Sequence, residues 1–90
     1  MAYLYREAMT GDMITAGFSY HLRGVRVDCD KNDEWEALTL RDPSDGRRWV
    51  IMPNGALMLW PEGTPAGEWQ HLTPTSLTVE DLEVIGPTGH

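Results

Sequence analysis

The chain has 90 residues, 41% of them hydrophobic and 23% charged, with a formal net charge of −7. That length supports one small domain and leaves no room for a large catalytic cavity plus its scaffold. The apolar content excludes wholesale disorder, and the acidity disfavours nucleic-acid phosphates as a direct partner.

Cys29 is the single cysteine, so neither an intramolecular disulfide nor a thiolate metal cage is expected. No apolar run follows a basic N-terminal start, and none approaches the roughly 20 residues of a membrane span. A cytoplasmic location without membrane contact is the expectation. Charge is unevenly spread: seven basic and nine acidic residues before Trp49 give −2, and none and five from there on give −5. Solubility accounts for such a balance, and it also suits a basic protein partner.

Taken in order, Tyr3–Met9 reads as a strand or extended arm with a short helix as the alternative. Asp12–Thr15 reads as a short strand. Phe18–Leu22 and Val25–Cys29 alternate apolar and polar residues around Arg23-Gly24, which predicts a tight hairpin. Asp30–Glu34 is a polar loop, and Trp35–Arg41 the next strand. Asp42-Pro43-Ser44-Asp45-Gly46 is a strong turn signal, because proline presets φ and glycine allows a left-handed exit.

The most informative stretch is Arg47–Trp60. Two apolar runs flank Pro53-Asn54-Gly55. A two-residue Asn-Gly loop would place Pro53, which has no N–H, in a hydrogen-bonded pair. A type I turn with Gly55 in a left-handed bulge avoids this. That register sets Met52 opposite Ala56, Val50 opposite Met58 and Arg48 opposite Trp60. Trp49 and Ile51 then face Leu59 and Leu57 on the other side. Both faces are apolar, so one meets the core and the other needs a second cover, from this chain or from a partner.

Pro61–Gly67 is a loop, and Trp69–Leu72 is a candidate strand. Thr78 and Asp81 have capping-box spacing, which predicts a helical turn over 79–82. Leu82–Ile85 is a last strand, and 86–90 a frayed tail. Short strands at 8–12-residue spacing predict an all-β (or β-rich α+β) fold. The expected form is a five- to seven-stranded antiparallel barrel or sandwich, Src-homology-3-like or OB-like, with at most one short helix. A single domain spans 1–90.

Asp28, Asp30, Asn32, Glu34 and Glu36 resemble the start of an EF-hand calcium loop. The required glycine is Asp33 here, and the twelfth position is Thr39 rather than glutamate. No metal or cofactor is expected. Cys29 lies between two aspartates, which opposes thiolate formation, and a His21–Cys29 dyad would have no oxyanion hole. Enzyme activity is therefore not expected.

Four tryptophans are the strongest lead, because such residues anchor protein interfaces. The expected partner-binding residues are Trp49, Trp60, Trp69, Met58, Glu62 and Glu68, with homodimerisation through the Trp49–Trp60 hairpin as one form. The sequence thus suggests a non-enzymatic, acidic protein-binding module. Its size and acidity suit a phage or mobile-element inhibitor of a host nuclease or defence complex, or a small virion assembly protein. The alternative is a nucleic-acid-binding barrel using Arg47, Arg48 and aromatics.

Overall fold

The computed structural model describes residues 14–88. The Tyr3–Met9 element, the start of the Asp12–Thr15 strand and the last two residues lie outside them. Ile14 and Thr15 belong to no strand. Seven strands form one antiparallel sheet: β1 Phe18–Leu22, β2 Val25–Asn32, β3 Ala37–Arg41, β4 Arg48–Ile51, β5 Ala56–Trp60, β6 Thr73–Thr78 and β7 Leu82–Pro87. The sheet order is β6-β5-β4-β3-β2-β1-β7. β1 to β6 are a meander, and the sheet curls into a half-barrel. No helix among the described residues is long and apolar enough to cross a membrane.

β6 and β7 are consecutive in the chain yet lie at opposite edges of the sheet. A 3-10 turn at Val79–Asp81 carries the chain between them. The capping box predicted from Thr78 and Asp81 forms there. The Asp81 carboxylate accepts from the Thr78 N–H at 2.9 Å, and the Thr78 hydroxyl accepts from the Glu80 N–H at 3.2 Å. Val79 is buried, and its N–H donates to the Gly55 carbonyl at 2.8 Å. The crossing is thus fastened to the tip of the β4–β5 hairpin.

The hairpin turns follow their residues. Arg23 and Gly24 both have positive φ, 51° and 86°, as a two-residue loop between paired Leu22 and Val25 requires. At the β4–β5 turn the Gly55 N–H donates to the Met52 carbonyl, and the Met52 N–H to the Ala56 carbonyl, each at 2.8 Å. Gly55 has φ 89°. Arg48, Trp49, Val50 and Ile51 pair with Trp60, Leu59, Met58 and Leu57. This is the bulged register that Pro53 dictates.

That register divides the apolar residues between two faces. Inside the curl, Trp49, Ile51 and Leu57 join Tyr20, Leu22, Val27, Cys29, Leu38, Leu40 and Val79. On the outer face, Val50 and Trp60 join Ala37, Trp35 and Leu72, with Met52, Met58 and Ala66 packed against them. The cover for the outer face is the chain's own strap, residues 61–72, together with Trp35. The Trp35 ring meets Trp60 and Trp69 edge-on, at 5.3 and 5.0 Å between centroids. The Trp60 indole N–H donates to the Thr64 carbonyl at 2.7 Å, pinning the strap. Gly67, at φ 94°, comes so close to the turn below that a Cβ there would lie 3.3 Å from the Glu34 carbonyl. The chain itself thus covers Val50 and Trp60 on the hairpin's second face, while Met52 and Met58 stay partly exposed.

Four expectations are corrected. β2 runs on to Asn32, three residues past Cys29. Trp35 and Glu36 lie in a turn rather than opening β3, because the Asn32 side-chain oxygen accepts the N–H groups of Glu34 and Trp35 at 2.9 and 3.1 Å. Glu36 then reverses the chain at φ 53°. Trp69–His71 is a 3-10 turn and not a strand, and the strand follows it as β6. Pro74 hides β6 from the sequence, yet β6 is an edge strand, where proline is tolerated. β7 includes Gly86 and Pro87, assigned above to a frayed tail, and the Thr88 N–H donates to the Gly17 carbonyl at 2.8 Å.

Trp35 is wholly buried, and its indole N–H has no hydrogen-bond partner. Trp35→Ala is expected to lower the unfolding free energy by about 3–5 kcal/mol in urea denaturation. Trp35→Phe is expected to cost clearly less, because it keeps a ring and removes an unsatisfied donor. Equal losses would show that ring packing is not what holds the strap.

Candidate functional site

The ends of five strands place a row of side chains across the outer face. Ser19 pairs with Asp28, Asp28 with Arg41, Arg41 with Arg48, and Arg48 with Trp60. Asp28 is the one acid in the row, and its carboxylate forms no ion pair with Arg41 or Arg48. It accepts from the Ser19 hydroxyl at 2.8 Å and from Arg26 Nε at 3.2 Å. The Ser19 hydroxyl also lies 2.8 Å from that of Thr88. Arg41 and Arg48 are thus left opposite each other, with no carboxylate within 4.0 Å among the described residues.

Arg48 is instead held by an aromatic ring. Its guanidinium carbon lies 3.7 Å from the centroid of Trp60. Such a contact contributes roughly 0.5–2 kcal/mol and fixes the direction of the side chain. Trp60 cannot give way easily, being buried between Trp35 and the strap. Beside this pair a cleft of about 430 Å³ opens, lined by Arg41, Arg47, Arg48, Trp60, Pro61 and Glu62.

The third arginine is already neutralised. Arg47 Nε donates to Asp45 at 2.8 Å, and its terminal nitrogen reaches the buried Asp42 at 3.4 Å. Asp42 organises the β3–β4 loop, accepting from the Ser44 hydroxyl at 2.6 Å and the Ser44 N–H at 2.8 Å. These hydrogen bonds from Ser44, with Arg47 adding to them, hold its carboxyl below its ordinary value of 3.8.

A second surface feature lies on β7. Gly86 pairs with Ser19 and Val84 with Tyr20, so Ile85 is the extra residue of a bulge. Val84 is 67% exposed and Ile85 47%. Exposed Glu80 and Glu83 lie beside them, while Asp81 is engaged by Arg23 at 3.3 Å.

The six expected partner-binding residues do not form one patch. Trp49 is buried in the inner core, with the Arg47 guanidinium carbon 5.5 Å from its ring centroid. Trp60 is buried under Arg48, with only its rim at the cleft beside exposed Glu62. Met58 is half-buried on the outer face. Trp69, 36% exposed, sits on the strap against Trp35, and Glu68 lies 3.4 Å from His71. Sequence reasoning missed Arg41, Val84 and Ile85. The Asp42–Gly46 turn would have paired Arg41 with Arg48. The bulge at Ile85 has no signal beyond Gly86.

Two other candidates come apart. Cys29 points into the core, and His21 lies on the exposed outer face of the adjacent strand, so the sheet separates them. Burial, with Asp30 adding, pushes the Cys29 thiol up to about 12, which keeps it un-ionised. Asp28, Asp30 and Asn32 are spread along an extended strand. No group of three or more metal-binding side chains is found among the described residues.

Because the folded Asp42 carboxyl titrates below 3.8, its ionised form stabilises the fold above that pH. The contribution is lost as the pH falls past 3.8 towards the folded-state value. Asp42→Asn is expected to lower the urea midpoint at neutral pH, with the gap to wild type closing well below 3.8. A gap of constant size would show that the charge of Asp42 is not what orders the loop. Comparison with protein-family models, with curated proteins and with solved structures finds no match, so what these surfaces bind has to follow from their own chemistry.

Proposed function

We propose that this chain is a non-enzymatic protein-binding module, and that β7 is the surface it presents. The observation that carries this reading is the pair Val84 and Ile85, 67% and 47% exposed on an edge strand. Large apolar side chains side by side on an edge are a liability in a free protein and an asset at an interface. The bulge re-aims Ile85 outwards, and bulges of this kind mark sites where a side chain is placed for a purpose. Glu80 and Glu83 give the patch an acidic rim, and the chain from Trp49 onwards has no Lys or Arg. A partner with a small apolar knob and a basic surround fits both properties.

The nucleic-acid reading has less support. A base-stacking platform needs an open aromatic face, and that of Trp60 is covered by Arg48. Arg47 is committed to Asp42 and Asp45. What remains is too little positive charge on a chain of net −7.

The test uses tagged wild-type protein and the double variant Val84→Thr, Ile85→Lys. Both positions are exposed, so the unfolding free energy is expected to stay within about 0.5 kcal/mol of wild type. Affinity capture from the source cells is expected to retain a protein partner with wild type and to lose it with the variant. Equal capture by both would remove β7 from the account. Capture of nucleic acid alone, fading steeply with added salt, would favour the alternative.

A further inference from the structure

The cleft at the other end of the sheet carries a reading of its own, independent of β7. We infer that it is an oxyanion-binding site, in which Arg41 and Arg48 grip a phosphate or carboxylate group from two sides.

Like charges directly opposite on an antiparallel pair destabilise it, and Arg41 and Arg48 occupy such a pair. The chain has no shortage of acids to relieve them, with fourteen against seven basic residues. Yet the ion pairs between described residues go to Arg23, Arg26, Arg47 and His71. Asp28, the neighbour of Arg41 in the row, is bound by Ser19 and Arg26. Asp45 and Glu62 line the same cleft; Asp45 is taken up by Arg47, and neither carboxylate meets Arg41 or Arg48 within 4.0 Å.

The site is also built. The Arg48 guanidinium carbon lies over the Trp60 ring, 3.7 Å from its centroid, and Trp60 is fastened by its own hydrogen bond to Thr64 at 2.7 Å. A guanidinium held in this way loses little freedom on meeting an anion, and its planar fork matches two oxygens of a carboxylate or phosphate. Arg41 supplies the second cation from the neighbouring strand. Pro61 and the rim of Trp60 form an apolar wall for whatever carries the anion. The volume of about 430 Å³ admits a single anionic group with part of its carrier.

The experiment is a heteronuclear NMR titration at constant ionic strength, with inorganic phosphate in one arm and acetate in the other. Saturable shifts confined to residues 41, 46–48 and 60–62 are expected. Arg41→Gln is expected to weaken binding by roughly tenfold or more without moving the urea midpoint, because that side chain is exposed. Arg48→Lys keeps the charge, loses the fork and the stack, and is expected to weaken binding by a similar factor. Saturation by phosphate alone assigns the site to a phosphoryl group, by acetate alone to a carboxylate, and by both to either carrier. Shifts that do not saturate in either arm would overturn the inference. So would saturation that both variants leave unchanged. Neither result bears on capture through β7.

Discussion

Trp49 and Val50 are neighbours in the chain, they point to opposite faces of the sheet, and both must be dry. The same holds along the whole β4–β5 hairpin, where each residue that enters the curl is followed by one that leaves it. A strand alternates by geometry, so no adjustment of the register can bring all these side chains to one side. The protein must therefore build two cores from one sheet. The inner one closes when the sheet curls and Val79 fills the crossing between β6 and β7. The outer one closes when the strap of residues 61–72 is laid across β4 and β5.

Most of the unusual composition follows from this demand. Four tryptophans in so short a chain look like binding equipment, but three of them are buried in the two cores. Trp35 is the centre of the outer cover, reached from below by Trp60 and from the strap by Trp69. The partner surface has to be sought where apolar groups remain after both cores are complete. Val84 and Ile85 meet that condition. The cleft beside Trp60 arises from the same packing. Once Trp60 is fixed, Arg48 has a platform, and the strand pairing sets Arg41 opposite it.

Much of the fold was legible because particular residues constrain the backbone. Pro53 lacks an N–H and so selects the bulged hairpin, and with it every pairing between β4 and β5. Arg23-Gly24 and the Thr78–Asp81 capping box likewise act over a few residues, where sequence is most informative. The errors share a different cause. Asn32 folds back on the N–H groups of Glu34 and Trp35, so a segment with strand propensity becomes a turn. Pro74 argues against a strand unless the strand is known to be an edge, which only the assembled sheet reveals. The site was the least legible part. Trp49 and Trp60 carry the chemistry of an interface, and burial by distant parts of the chain withdraws them from it. Arg41 gains its meaning only from the residue across the sheet.

The account stands or falls on the outer cover being supplied by the same molecule. In a sample mixing isotope-labelled and unlabelled chains, filtered nuclear Overhauser spectra separate contacts within a chain from contacts between chains. Cross-peaks from the Trp35 ring to the rings of Trp60 and Trp69 are predicted to arise within one chain and to be independent of concentration. Cross-peaks between labelled and unlabelled chains at these rings would contradict the account, as would a Trp35 ring without either contact.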